Sequence, residues 1–120
     1  HDIPASFHSH GPVRDVIEDV LQMGYTFMEP FEPPPKGNLT IAGAMRITDR
    51  RGVVFGGVDD VTLNSGSLEE VESSVRSCLA DAKAAGGPFI LSQSSTPFHD
   101  PLPETSRVNY LRFMELGTGG

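Results

Sequence analysis

Two hydrophobic spacings alternate along the chain, and each change of spacing is marked by proline, glycine or a polar cluster. A strand candidate at residues 3–8 precedes Gly11-Pro12, with proline suited to a first helical turn. Val13, Val16, Ile17, Val20 and Leu21 then recur at helical spacing, and Gly24 provides the stop. A second apolar run at 25–28 leads into Glu29-Pro30-Phe31-Glu32-Pro33-Pro34-Pro35, where proline is expected to end any strand. A helix over 39–50 follows, with Leu39, Ala42 and Met45 on one side and Asn38 or Thr40 as its cap.

The third run, 53–57, ends in Gly56-Gly57 and passes into Val58-Asp59-Asp60 and a polar loop. Ser67-Leu68-Glu69-Glu70 has the spacing of a capping box, serine followed three residues on by glutamate. Val71, Val75, Cys78, Leu79 and Ala82 form the stripe of that helix, closed by Gly86-Gly87. The last run, 88–91, leads through a long loop (92–104) to a helix over 106–116. Val108, Leu111 and Met114 are its expected anchors, Gly117 its stop, and Gly119-Gly120 a tail.

Strands alternating with helices predict an α/β domain spanning residues 1–120, with four βα units and parallel strands. The strand runs are short and apolar rather than alternating, as expected where both faces are covered. The αβ turns are short and the βα loops long and polar, so any site belongs at the C-terminal ends of the strands.

Candidate chemistry collects at those ends. His8 and His10 follow the first strand, Glu29 and Glu32 the second, Asp59 and Asp60 the third. Gln93, Ser94 and Ser95 follow the fourth, with His99 and Asp100 further out. In an extended segment His8 and His10 share a face. With a carboxylate from the next strand they could hold zinc or another divalent metal; hydrogen-bonded loop histidines are the competing reading. Glu29 directly follows a buried strand and needs a partner. Asp59-Asp60 could bind a cation or substrate, or cap a turn. No phosphate-binding glycine fingerprint fits, because Gly56-Gly57 lacks the spacing and the lysine. No serine elbow or Cys/His nucleophile pair is present.

Composition narrows the partners. The net charge of −7 argues against nucleic acid and against an anionic membrane surface, both of which need clustered cations. Cys78 is the sole cysteine, so no intrachain disulfide can form, and a cytoplasmic setting is expected. No apolar run approaches a membrane span, no signal-peptide pattern is seen, and the start at His1 suggests a cut or processed N-terminus.

The order of the motifs resembles a known family. Phe7-His8-Ser9-His10-Gly11, Met23-Gly24 before a strand, Gly56-Gly57-Val58-Asp59, Ser67-Leu68-Glu69-Glu70-Val71 and Gly87-Pro88-Phe89-Ile90-Leu91-Ser92 resemble the C-terminal half of the uroporphyrinogen decarboxylase family. That superfamily is similar to corrinoid-dependent methyltransferases and cobalamin-independent methionine synthase. The resemblance implies strands five to eight of a (β/α)8 TIM barrel, half of a fold that usually takes about 250 residues. It also implies a methyltransferase-like or decarboxylase-like activity if the chain is an enzyme. The methyltransferase branch holds zinc through a His-x-Cys at strand five, an acid at strand six and a cysteine at strand eight. His8-Ser9-His10 stands at the first element and Glu29 at the second, while the third falls near Ser95. A zinc site of His8, His10 and Glu29 is thereby implied, completed by water, substrate or His99. The decarboxylase's strand-eight Gly-His pair has no match, since Gln93-Ser94-Ser95 occupies that place, so porphyrin decarboxylation is not expected. Glu32, Asp59, Asp60, Gln93, Ser95 and His99 are the expected contacts to a small-molecule substrate. A half barrel leaves open edges, so a homodimer completing the barrel is expected. The alternative is a non-catalytic remnant or fragment that serves as a binding or oligomerisation module.

Overall fold

A computed structural model describes residues 3–97 and 99–119. His1, Asp2, Phe98 and the Gly120 end of the expected tail lie outside that description. The elements run β1 (Ser6–His8), α1 (Ile17–Gln22), β2 (Phe27–Phe31), α2 (Ile41–Thr48), β3 (Val53–Val58), α3 (Asp60–Ser65), α4 (Leu68–Ala85), β4 (Phe89–Gln93) and α5 (Glu104–Gly117). The strands form one parallel sheet in the order β1-β2-β3-β4. The expected α/β class with four successive βα units is therefore present.

Helices cover one face of this sheet. Phe7, Met28, Val54 and Phe89 stand in register across the four strands. They join a core that also includes Ile17, Val20, Met45, Val71, Val75 and Phe113. The opposite face carries Phe27, Phe55 and Ile90, none of them part of that core. Phe27 and Phe55 meet edge to face at 5.6 Å, and Ile90 is 42% exposed. Among the described residues no helix is long and apolar enough to cross a membrane.

Local signals act largely as the sequence suggests. The capping box forms at α4, where Ser67 Oγ accepts from the Glu70 amide and Glu70 Oε2 accepts from the Ser67 amide. Gly86 ends α4 in the left-handed region. Thr40 caps α2, accepting from the Gly43 amide; Asn38 instead accepts from the Val13 and Arg14 amides and ties down the β1–α1 connection.

Several boundaries differ, each for a physical reason. The first strand shortens to Ser6–His8, the stretch in parallel register with Phe27–Glu29 of β2. Residues after Pro12 form a turn, and α1 begins only at Ile17. Proline does not end β2: Pro30 lies inside it at a register shift, where its missing N–H costs no ladder bond. The polar loop after Asp59 contains the additional helix α3, capped by Asp59 and anchored by the fully buried Leu63. In α5 the expected anchors Val108, Leu111 and Met114 face outward, and Ser106, Asn109 and Phe113 are buried instead. Ser106 donates to the Asn64 carbonyl and Asn109 to the Gly66 carbonyl, so α3 draws the polar side of α5 inward.

Candidate functional site at the strand ends

A cleft of about 350 Å³ opens at the C-terminal ends of the strands. His8 and His10 reach it from β1 and the following loop, Glu29 and Pro30 from β2, and residues 92–96 from β4 and its loop. Between β2 and β4, β3 supplies no side chain to the lining. At this level β3 is Gly56-Gly57, with φ of +147° and +120°. A Cβ on Gly56 would stand 2.5 Å from the Phe31 carbonyl oxygen, and one on Gly57 2.4 Å from Cys78 Sγ. Both glycines are thus required by close packing.

The two imidazoles are paired. His8 Nε2 lies 3.2 Å from His10 Nε2, with the rings edge to face at 72°. Behind His10, Glu32 Oε1 stands 3.4 Å from Nδ1. The Glu32 side chain is 5% exposed, and its Oε2 accepts from the Gly11 amide at 2.8 Å. Gly11 adopts a φ of +79°, and its amide meets this buried carboxylate. Glu32 thus places a buried negative charge behind His10, on the side of the ring away from His8. The carboxylate in need of a buried partner is therefore Glu32, set behind His10 and away from the cleft lining. Glu29 is only half-buried and accepts from Ser6 Oγ at 2.9 Å.

Asp59 and Asp60 belong to a neighbouring cluster. Lys36, from the β2–α2 loop, donates to Asp59 Oδ1 at 2.7 Å and to Asp60 Oδ1 at 2.6 Å. Asp59 also caps α3 through the Val61 amide. Ser94, 3% exposed, donates to Asp60 Oδ1 and accepts from the Asp60 amide. The lysine ammonium holds the Asp60 carboxyl down at about 2, against desolvation that opposes it. Its own acidity is pushed well below the ordinary lysine range by the two carboxylates, Asp59 foremost. The cluster is a clamp: it ties the β2–α2 and β3–α3 loops together and, through Ser94, fixes one wall of the cleft.

Of the residues singled out from sequence, His8, His10, Glu29, Gln93 and Ser95 line the one cleft. Glu32 backs it, and Asp59 and Asp60 brace it. His99 is exposed on the 94–103 loop and does not line the cleft. Sequence reasoning missed the clamp lysine, Lys36, which sits between a proline run and a glycine and carries no motif. It also missed Ser94 as the link between clamp and cleft, although Gln93-Ser94-Ser95 was marked as a unit.

Among the described residues no group of three or more His, Cys, Asp or Glu side chains is arranged to hold a metal ion. The His8–His10 contact is a hydrogen bond between the two Nε2 atoms, one of which carries the proton and would give it up to ligate a metal; the separation alone matches one edge of such a site. Two nitrogens bound to a tetrahedral zinc at ~2.05 Å stand about 3.3 Å apart, close to the separation seen. Comparison of the chain with protein-family models, with curated proteins and with solved structures gave no match.

Proposed function

We propose that the chain binds a small molecule in the strand-end cleft, beside a zinc ion held by Nε2 of His8 and Nε2 of His10. The observation that carries this reading is the 3.2 Å Nε2–Nε2 separation with Glu32 behind His10. Metal-ligating histidines typically give their second ring N–H to a carboxylate, which fixes the tautomer and raises ligand basicity. Glu29 lines the same cleft and is the carboxylate available as a third ligand. Such a metal supplies Lewis acidity or lowers the pKa of a bound thiol or water. Methyl transfer to a thiol, the chemistry suggested by the family resemblance, would use it in that way. The cytoplasm, where Cys78 stays reduced, suits this reading.

Zinc titration by calorimetry tests the proposal on protein purified without a His-tag. One zinc per chain is expected, with affinity reduced at least tenfold by His8→Ala or His10→Ala. Equal zinc affinity in the wild type and both variants would refute the metal assignment.

The bare sheet face favours a second reading, self-association. Among the described residues β1 and β4 each have one unpaired edge, and Phe27, Phe55 and Ile90 lie outside the core that the helices cover. A two-fold axis along the strand direction would set β4 of one copy beside β1 of another, parallel and in turn. Eight strands would then close, covering the face and removing both edges.

A further inference from the structure

The cleft's lining discriminates by charge. Nine lysines and arginines occur in the chain, and among the described residues none lines it. Lys36, beside the Ser94 wall, is occupied by Asp59 and Asp60. Glu29 and Glu32 would balance a divalent metal at His8 and His10, so the site gains no net positive charge even when loaded. Without a metal, a phosphate or polycarboxylate has no cation here to pair with.

The wall opposite the imidazoles is neutral and rich in hydrogen-bonding groups. Ser94 spends its hydroxyl on Asp60. The side chains of Gln93, Ser95 and Thr96, all lining residues, make no hydrogen bond to other described residues, which leaves an amide and two hydroxyls open to a ligand. These groups both donate and accept, which suits a ligand that does the same. The volume, about 350 Å³, equals roughly a dozen waters at ~30 Å³ each. It lies at the small end of ligand sites.

From this we infer that the cleft selects an uncharged, hydroxyl-bearing molecule of monosaccharide size, recognised by Gln93, Ser95 and Thr96, and that it rejects anions. The inference rests on the strand-end cleft being the ligand site; the ligand class holds with or without metal, and the rejection of anions belongs to the metal-free cleft. Amide chemical shifts of the full chain can be followed by NMR while methyl α-glucoside, citrate or inorganic phosphate is added. Each titration is run once with EDTA and once with zinc. The glucoside should move the amides of residues 92–96 and Glu29 under both conditions, and with EDTA the two anions should leave them in place. Gln93→Leu should weaken the glucoside at least fivefold, and Gln93→Lys should admit citrate. Tighter binding of citrate or phosphate than of glucoside at these amides in EDTA overturns the inference, as does a glucoside that moves none of them. Glucoside binding without zinc binding supports the ligand class and removes the metal assignment alone.

Discussion

Nε2 of His8 and Nε2 of His10 stand 3.2 Å apart, and the buried Glu32 carboxylate lies behind the outer ring, 3.4 Å from its Nδ1. Toward a metal the glutamate would act through His10, so loss of its charge has a specific signature. Glu32→Gln keeps an acceptor for the Gly11 amide but loses the charge behind His10. Zinc affinity should fall about 10–100-fold while far-UV circular dichroism stays unchanged. Unaltered affinity in Glu32→Gln would show that the carboxylate serves only the Gly11 turn.

The Lys36–Asp59–Asp60 clamp makes an acid-sensitive contribution to stability. Asp60 titrates at about 2 in the folded chain against 3.8 ordinarily. Its folded pKa is depressed, so its contribution is complete above the unfolded value and is lost as pH falls from about 4 to 2. The size is about 2 kcal/mol. Urea midpoints should be level from pH 7 to 5 and then decline, and the decline should be shallower in Asp60→Asn. A variant with the wild-type pH profile would show that the clamp contributes nothing.

Gly57 and Cys78 are coupled through a single close approach. An added Cβ would lie 2.4 Å from Cys78 Sγ, at a φ of +120° that side chains rarely adopt. Gly57→Ala should therefore destabilise the chain by about 2–4 kcal/mol. Adding Cys78→Ala should relieve the clash but not the backbone strain, giving a coupling of about 1 kcal/mol in a double-mutant cycle. Strictly additive effects would contradict this packing.

Self-association through the bare face predicts a particle of twice the 12.9 kDa chain mass at micromolar concentration in light scattering. Ile90→Lys places a charge on that face and should yield monomer with an unchanged fold. A wild-type monomer at that concentration would dispose of the dimer.

The alternating fold was legible in the sequence because each unit carries its own punctuation. The Ser67–Glu70 box, Gly86 and the β-branched runs around Val54 and Ile90 are local signals, and local structure follows them. The inward face of α5 was not legible. Val108, Leu111 and Met114 have the right spacing, but Ser106 and Asn109 satisfy carbonyls of α3 and its C-cap, and that demand turns the helix. For the site, strand-end placement brought His8, His10, Glu29, Gln93 and Ser95 to one cleft. Which carboxylate backs the imidazoles was not readable, because Glu32 reaches His10 only after β2 shifts register around Pro30. The role of Lys36 depends on two loops meeting in space, which no local pattern encodes.

X-ray absorption at the zinc edge of the zinc-loaded chain tests the central claim most directly. The account predicts two imidazole nitrogens at about 2.0–2.1 Å, with oxygen filling the remaining positions and no sulfur. Loss of the imidazole signal in His8→Ala with His10→Ala should follow. A zinc–sulfur distance of ~2.3 Å, or an imidazole signal that survives both substitutions, would contradict it.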